Sequence, residues 1–533
     1  MQTDPSPSYP AVVRAWSLAH QDDPNVLAQL EQHAETIAVL LTLDLEPARP
    51  HLARCYAASP RGGDPWDPVV LLRCLLLALL LKIPSINKLV PALRGSGVLR
   101  VLAGLPEEAP RGENVSPGVG TFYDFLHRLH DCPRPCGVIG YVPPSEQTRR
   151  ATRTPRPPHN EGKRTKHHKR AKVPEETGPD GIPSELALKS LRAARATRRP
   201  DDLLGRLSEL LWTLAVRPSA QRGLLGDLRA LVVAGDGSPL VTGACGLGKR
   251  SCACDRHKTC SCLRTYADPD ARSGYDAYRR HYFYGHHFYE ICVPYERHDL
   301  PVLLRLDPAN SSDHVAGLLA LEQLGKTLRD DTEGWKIDRF IADAGHDGFA
   351  TYALCDDHQI RPVIPLNGAP ALHPKRSELH LSPKAIPLCQ ASVEMAPWGS
   401  SEPGRPTFVC PVKAGRISVC PIAPPADSEW RCQPDTELGP VVNLATQDDP
   451  RLFPEIQRNS TTYAETYRLR TGCERSNAHK KGRFLLEQAR HRRASFWLIR
   501  LHLIAILQHA LVWVGQAQPK EQALLGPAPP PGG

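Results

Sequence analysis

Residues 230–244 read ALVVAGDGSPLVTGA, an apolar run that is typical of a buried strand and that we expect to end at Asp236-Gly237. Two more runs rich in aromatic and β-branched residues follow, HYFYGHHFYEICV at 281–293 and LPVLLRLDP at 300–308. Helical and strand patterns then alternate in HVAGLLALEQLGKTL, IDRFIADAGHDG, FATYALCDDHQI and RPVIPL. The order strand, strand, strand, helix, strand, helix, strand predicts a mixed sheet of the α/β class.

Three acidic residues stand where metal ligands are expected. Asp236 and Asp343 each end a predicted strand, and Glu474 lies on a predicted helix. Acids at the ends of adjacent strands converge at one edge of a sheet, where a carboxylate without a partner is costly. Such oxygen ligands suit Mg²⁺ or Mn²⁺, with water and phosphate completing the shell. Taken singly, either aspartate is equally consistent with a turn or a helix cap.

Four polar residues share one stripe of the predicted helix. Tyr467, Arg470, Glu474 and Lys481 fall within roughly 60° of one another at about 100° per residue. A buried stripe would carry Leu or Val, whereas this one fits a face that contacts phosphates, with Glu474 on a metal. The alternative is a salt-bridged surface helix on which Tyr467 is incidental.

These residues complete the pattern Y-x2-R-x3-E-x6-K, and the chain resembles the DDE transposases of bacterial insertion sequences that carry this signature. The runs VVAGDGSPL and FIADAGHDG resemble the two aspartate motifs of that family. The apolar runs between residues 60 and 130 resemble the helical domain that precedes its catalytic core. One departure is His346, since an aromatic residue often follows Gly345 in the family.

The resemblance implies an RNase H-like core that catalyses DNA cleavage and strand transfer with two Mg²⁺ or Mn²⁺ ions. Asp236, Asp343 and Glu474 would be the catalytic and metal-binding residues. Tyr467, Arg470 and Lys481 would contact DNA. The implied partner is double-stranded DNA, at the terminal inverted repeats of the element and at the target, bound by a homodimer or larger assembly.

The domain boundaries follow changes in composition. The predicted N-terminal units are a helical domain that binds DNA (1–131) and a basic Pro-rich linker (132–200). The RNase H-like core follows in two parts, 201–367 and 441–517, the second of which contains the signature helix. A small β-rich insertion that contains cysteines (368–440) separates the two parts, and a disordered tail (518–533) ends the chain. The 53 prolines of the chain agree with long loops or linkers.

The net charge of +9 is concentrated in one segment. Ten Lys and Arg residues and a single acid, Glu161, lie between Arg149 and Lys172. This pattern predicts an arm that binds a polyanion, although a solvated tether remains an alternative. We expect no cleaved secretory signal and no membrane span, because the longest apolar runs are short and interrupted. The expected location is therefore the bacterial cytoplasm, with association to the nucleoid through bound DNA.

A cluster of cysteines predicts a structural Zn²⁺ site, with a reduced Cys-rich loop as the alternative. Its members are Cys245, Cys252, Cys254, Cys260 and Cys262. A scattered second set in the insertion is less suggestive of zinc: Cys389, Cys410, Cys420 and Cys432. Trp398 and Trp430, also in the insertion, are candidates for stacking on a flipped base, but a small apolar core explains them more simply.

Two other functions remain open on the sequence alone. One is a catalytically inactive relic or a regulator of transposition, which the three intact acids oppose. The other is a related metal-dependent nuclease, which the signature around Glu474 disfavours. Inverted repeats bordering the gene would favour the mobile element over both.

Overall fold

The N-terminal part of the chain is helical. In the computed structural model the described residues are 8–56, 65–108, 115–131, 148–150, 181–196, 202–250, 252–253, 262–276, 278–332, 334–367, 379–422 and 436–524. The first helices are α1 (Tyr9–Ala19), α2 (Pro24–Gln32), α3 (Ala34–Thr42), α4 (Arg49–Ala53), α5 (Pro68–Leu80), α6 (Ile86–Gly95), α7 (Gly97–Ala103) and α8 (Val119–Asp131). Asp67 caps α5, which buries ten residues on all sides and confirms that VVLLRCLLLALLLKI forms a core helix.

Two ordered elements fall within the range predicted as linker. They are β1 (Thr148–Arg150) and α9 (Ser184–Ala196). Ala187 and Leu191, one helical turn apart on α9, are both buried in the main hydrophobic core. The linker interpretation is therefore wrong for residues 184–196. Residues 151–180, which hold most of the basic segment, lie outside the described residues.

The sheet confirms the predicted mixed α/β class. The helical elements that accompany the strands of this sheet are α10 (Leu203–Leu211), a π-helical turn (Trp212–Val216), α11 (Arg217–Gln221), α12 (Asp313–Asp331) and α13 (Phe349–Asp357). The strands are β2 (Leu231–Val241), β5 (Arg272–Asp276), β6 (His281–Tyr295), β7 (His298–Pro308), β8 (Ile337–Ile341) and β9 (Arg361–Val363). Their order is β5-β6-β2-β8-β9, and β7 also pairs with β6. Strand β2 is antiparallel to β6 and parallel to β8, which is itself parallel to β9.

Two smaller sheets lie outside this core. In one, β1 and β3 (Lys249–Arg250) flank β4 (Leu263–Thr265). In the other, β11 (Arg405–Val409) pairs with β10 (Ala396–Glu402) and with β12 (Val442–Asn443). Strand β11 lies in the predicted β-rich insertion, as expected, but RISVCPI at 416–422 forms turns and bends instead of a strand.

The C-terminal part consists of three helices, α14 (Thr461–Arg468), α15 (Thr471–Arg483) and α16 (Ala494–Leu524). The N-terminal helices share one continuous hydrophobic core with α16 and the sheet. Within α16, Ala494–Gln516 is the only stretch of the described chain long and apolar enough to cross a membrane, and 72% of its most apolar 18-residue window is buried inside the protein. The backbone of α16 continues to Leu524, so the prediction of a disordered tail is wrong for residues 518–524.

Candidate active site

The parallel pairing of β2 and β8 brings Asp236 and Asp343 side by side. Ala234 on β2 is in register with Ile341 on β8, and Asp236 and Asp343 each lie two residues after these paired positions. The prediction that β2 ends at Asp236 is wrong, because β2 continues to Val241 as the partner of the long strand β6. Asp343 does follow the end of β8, as predicted. The parallel pairing of β2 with β8 therefore ends just before Asp343, whereas Asp236 lies within β2, which continues to Val241 as the antiparallel partner of β6.

The predicted signature helix is broken between α14 and α15. The backbone N–H groups of Leu469 and Arg470 donate to carbonyl oxygens three residues earlier, so the chain tightens there into a 3₁₀-type turn. Tyr467 therefore lies in the last turn of α14 and Glu474 in the first turn of α15. The single straight helix assumed from spacing is wrong, although the expected break near Gly482 is close to the end of α15 at Arg483.

Arg470 links the third acid to the two aspartates. Its Nη2 lies 2.7 Å from Oε1 of Glu474. The positive charge of Arg470 also acts on both aspartates: it opposes the rise in the pKa of Asp236 and contributes to the lowered pKa of Asp343. Glu474 therefore pairs directly with Arg470, and both aspartates interact electrostatically with the same guanidinium group.

The electrostatics of the two aspartates differ. Burial, together with the negative charges of Asp313 and Asp343, raises the pKa of Asp236 to about 6. A hydrogen bond from His346 is the main reason that the pKa of Asp343 lies below its ordinary value. Asp236 is thus a carboxylate in need of a cation, and Asp343 is held ionised beside it.

The other two signature residues have different surroundings. Tyr467 is half-buried, and its ring stacks on Tyr463 with centroids 5.7 Å apart. The guanidinium of Arg470 lies 5.9 Å from the Tyr467 ring centroid. Lys481 lies two turns beyond Glu474, where its Nζ is 3.4 Å from Oε1 of Glu487. Lys481 therefore belongs to the surface next to the acids and not to the acid cluster itself.

Asp313 is a fourth acid at the site that sequence reasoning missed. It begins α12, and its Oδ1 lies 2.9 Å from Nε2 of His287. Burial raises the pKa of Asp313, but the hydrogen bond and charge of His287 offset this and leave the pKa lowered. A Cβ atom on Gly237 would lie 2.0 Å from that same carboxylate oxygen. The Gly after Asp236 is thus a site of close approach, which a turn interpretation of Asp-Gly conceals.

A buried ion pair and two thiols lie between α15 and the strands β2 and β6. Lys480 Nζ contacts Glu290 Oε2, and both side chains are fully buried. Glu290 is directly opposite Asp236 in the β2–β6 register. The sulfur atoms of Cys292 and Cys473 are 2.9 Å apart, and Cys473 donates to the carbonyl of Ala234. These contacts attach α15, which carries Glu474, to the strands that carry Asp236.

The predicted zinc cluster is only partly described. Cys254 and Cys260 lie outside the described residues, while Cys245 and Cys262 are exposed and Cys252 is half-buried. Within the described chain, one group of three potential ligands is close enough to hold an ion, namely Glu290, Cys292 and Cys473. Lys480 already neutralises that group. Structural zinc at the Cys245–Cys262 loop therefore stays a prediction.

The insertion residues are likewise described in part. Trp398 on β10 is half-exposed, with 51% of its surface accessible, and Trp430 lies outside the described residues. Cys389, Cys410 and Cys420 are half-buried, and Cys432 is outside the described residues. The small apolar core of the insertion includes Met395 and Phe408, and Cys389 packs against it. The simpler interpretation as a core residue is therefore wrong for Trp398.

The donor set suits hard divalent cations. Its members are carboxylates from two neighbouring strands and from the first turn of a helix, and Mg²⁺ and Mn²⁺ prefer such oxygen ligands. The pKa of Asp236 is raised first by burial and then by repulsion from the charges of Asp313 and Asp343, which His346 and Arg470 oppose. A bound cation would remove this repulsion.

The comparison with protein families agrees with this chemistry. Residues 253–508 match the family model described as transposase DDE domain. The matched range contains Asp343, Glu474 and all other signature residues, and it begins after Asp236. No curated protein and no solved structure matches the chain.

Proposed function

We propose that this chain, a DDE transposase by its match over residues 253–508, cleaves DNA at the terminal inverted repeats of its own insertion sequence and transfers the strands to target DNA. The observation that supports the proposal is the register of β2 with β8, in which Asp236 and Asp343 follow paired residues, together with the ion pair of Glu474 with Arg470, whose charge acts on both aspartates. Acids so arranged fit in-line phosphoryl transfer.

Asp236, Asp343 and Glu474 would hold two Mg²⁺ or Mn²⁺ ions, which when bound supply activation of the attacking oxygen and stabilisation of the leaving oxygen. Each protein group has a distinct part. His346 keeps Asp343 ionised and oriented. Arg470 neutralises Glu474 before DNA binds, and its guanidinium can then turn to a phosphate oxygen.

The DNA partner follows from the cations around the acids. Arg470 and Lys481 lie on the same side of the site as Glu474, and Lys481 is partly exposed. We propose that both contact the phosphate backbone and that the ring of Tyr467 supports Arg470. The active assembly is proposed to be a homodimer or larger, with two element ends held together.

The test is cleavage of a labelled duplex that carries the inverted repeat bordering the gene, with Mg²⁺ or Mn²⁺. Glu474→Gln keeps the shape of the side chain and removes its charge. Glu465→Gln, on the exposed face of α14, is the matched control. We expect nicking at the end with wild type and control, and none with Glu474→Gln although it still binds the duplex.

Other outcomes would point to the alternatives. Binding without cleavage by wild type would support an inactive relic or a regulator of transposition. Cleavage of any duplex regardless of the inverted repeat would support a nuclease. Cleavage that survives Glu474→Gln would mean that the metal site has been placed wrongly.

A further inference from the structure

Three tyrosines project from the tip of the β5–β6 hairpin. Tyr275 on β5 is in register with Tyr282 on β6, and their ring centroids are 5.0 Å apart. Tyr278 lies in the turn between the strands and is 95% exposed, while Tyr282 is 79% and Tyr275 54% exposed. Single apolar side chains on a surface are ordinary, but three rings within eight residues form a patch.

The tip also carries positive charge. Arg279 and Arg280 follow Tyr278 in the turn, and Arg280 is exposed in a left-handed backbone conformation with φ 54°. Amphipathic rings interleaved with guanidinium groups are the composition of surfaces that contact sugars, bases and phosphates. A nucleic acid, which combines negative phosphates with planar bases, therefore suits the composition of the tip better than an acidic or apolar protein surface does.

The hairpin is anchored and does not hang free. The side chain of Asp276 accepts a hydrogen bond from the backbone N–H of Arg279 at 2.9 Å, which sets the turn. The guanidinium of Arg279 donates to both carboxylate oxygens of Glu487 at 3.0 Å. Because Glu487 also pairs with Lys481, the tip is tied to the helix that bears Glu474.

The surface beside the tip continues along residues of β2 that follow Asp236 in sequence. A cleft of about 560 Å³ lies along it, lined by β2 residues past Asp236 and by Arg279, Glu487 and Arg490. Glu487 is the one acid lining the cleft, and Arg279 and Lys481 neutralise it. Duplex DNA placed with a phosphate at the acids can follow this surface without meeting uncompensated negative charge.

The strand geometry gives the distance. Glu290 is opposite Asp236, and His281 at the start of the hairpin comes nine residues earlier on β6. At about 3.3 Å per residue this is at most roughly 30 Å, or about nine base pairs of duplex. A two-stranded β-ribbon has the width that the major groove admits.

We propose that the tip Tyr275–Tyr282 enters a groove of the duplex about nine base pairs from the reacting phosphate, with Tyr278 against sugars and base edges and Arg280 on a phosphate. The tip thereby holds the DNA end in register with the acids. This inference rests on the proposed function, since it takes the duplex at the acids to be the element's end.

The test measures binding in EDTA, so that it does not depend on cleavage. The probe is a fluorescent duplex of about 40 base pairs, four helical turns, which carries the inverted repeat bordering the gene. We expect Tyr278→Ala and Tyr282→Ala each to weaken binding by about fivefold or more. Arg280→Gly, which suits the left-handed backbone, should reduce the salt dependence by about one phosphate contact.

The matched control is Tyr295→Ala, the same change at the opposite end of β6. It should bind as wild type does, and all four variants should unfold at the wild-type temperature. Footprints should show that Tyr278→Ala loses protection only at the position about nine base pairs from the cleaved phosphate.

Equal affinity for wild type and tip variants would overturn the proposal, as would an equal loss in Tyr295→Ala or no binding by wild type. A change of oligomeric state in Tyr278→Ala with unchanged DNA affinity would overturn it in favour of a contact between copies. If wild type binds the element's end through the tip but does not cleave it, the catalytic part of the proposed function fails, whereas the contact between the tip and the DNA end stands.

Discussion

The imidazole of His346 donates a hydrogen bond from Nδ1 to Oδ1 of Asp343 at 2.8 Å. Its other nitrogen, Nε2, lies 2.9 Å from the hydroxyl of Tyr289, and both rings are buried. An ionised carboxylate only accepts, so Nδ1 carries the proton and Nε2 accepts from Tyr289. Gly235 leaves space for the hydrogen bonds that join Asp343, His346 and Tyr289, because a Cβ atom on Gly235 would lie 2.3 Å from the Tyr289 hydroxyl.

We therefore expect His346→Leu to weaken the hold on divalent metal by about 10- to 100-fold, the usual effect of removing such a supporting partner. His346→Asn should recover much of the loss, because its amide can donate where Nδ1 does. The measurement is the Mn²⁺ concentration that half-saturates binding and, separately, cleavage.

A purely structural role for His346 makes a different prediction. It would lower stability in both variants and leave the half-saturating Mn²⁺ concentration unchanged. Tyr289→Phe tests the outer end of the chain, and we expect it to have a smaller effect in the same direction.

The pKa of Asp236 gives a second prediction. Because burial and the charges of Asp313 and Asp343 raise this pKa to about 6, the folded state favours the neutral acid. Stability from this group is full below the unfolded pKa near 4 and is lost as the pH rises through 6. Without metal, the free energy of unfolding of Asp236→Asn should therefore exceed that of wild type by about 2–3 kcal/mol at pH 8. At pH 5 this difference between variant and wild type should be smaller by about 1 kcal/mol.

Urea unfolding at the two pH values measures this difference. Glu465→Gln, at an exposed position, should show no such pH dependence. Added Mg²⁺ should stabilise wild type and not Asp236→Asn, because only the charged site gains a ligand. A stability gain that is the same at pH 5 and pH 8 would contradict the argument.

Much of the sheet could be predicted from sequence because strand patterns are local. The pairing of Asp236 with Asp343 follows from two apolar runs and one rule about parallel strands. The end of β2 could not be predicted, since it depends on the length of β6, a partner fifty residues away in the chain. The break at Leu469–Arg470 could not be predicted either, because neither residue is Gly or Pro and Gly472 comes only after α15 has begun.

Non-local contacts explain the residues that sequence reasoning missed. Asp313 has the pattern of an ordinary first helical residue after Ser312, and only the fold shows that it approaches Gly237. Lys480 stands in a basic run that predicts an exposed face, yet it is buried on Glu290. Charge and propensity describe a residue alone, whereas both roles come from the partner.

Gly237 provides a third prediction. Its missing side chain leaves space for the Asp313 carboxylate at 2.0 Å and for Cε1 of His287 at 2.3 Å from the Cβ position. Gly237→Ala should therefore cost about 1–3 kcal/mol of stability and displace both groups from Asp236, with loss of cleavage. The control is Gly482→Ala on α15, where nothing lies within 4 Å of the Cβ position. That change should be neutral or stabilise by up to about 1 kcal/mol, so a similar loss in both variants would contradict the steric argument.

The neighbours Lys480 and Lys481 provide the last prediction, because the same substitution should have opposite consequences. Lys480→Met leaves the charge of Glu290 buried without a partner, so we expect a loss of about 3–5 kcal/mol in the free energy of unfolding. Adding Glu290→Met should restore most of it. Lys481→Met removes only a surface pair with Glu487, so stability should change by less than about 0.5 kcal/mol while affinity for duplex DNA falls. Urea unfolding and duplex binding on all three variants separate the roles, and unchanged DNA affinity in Lys481→Met would remove Lys481 from the proposed DNA path.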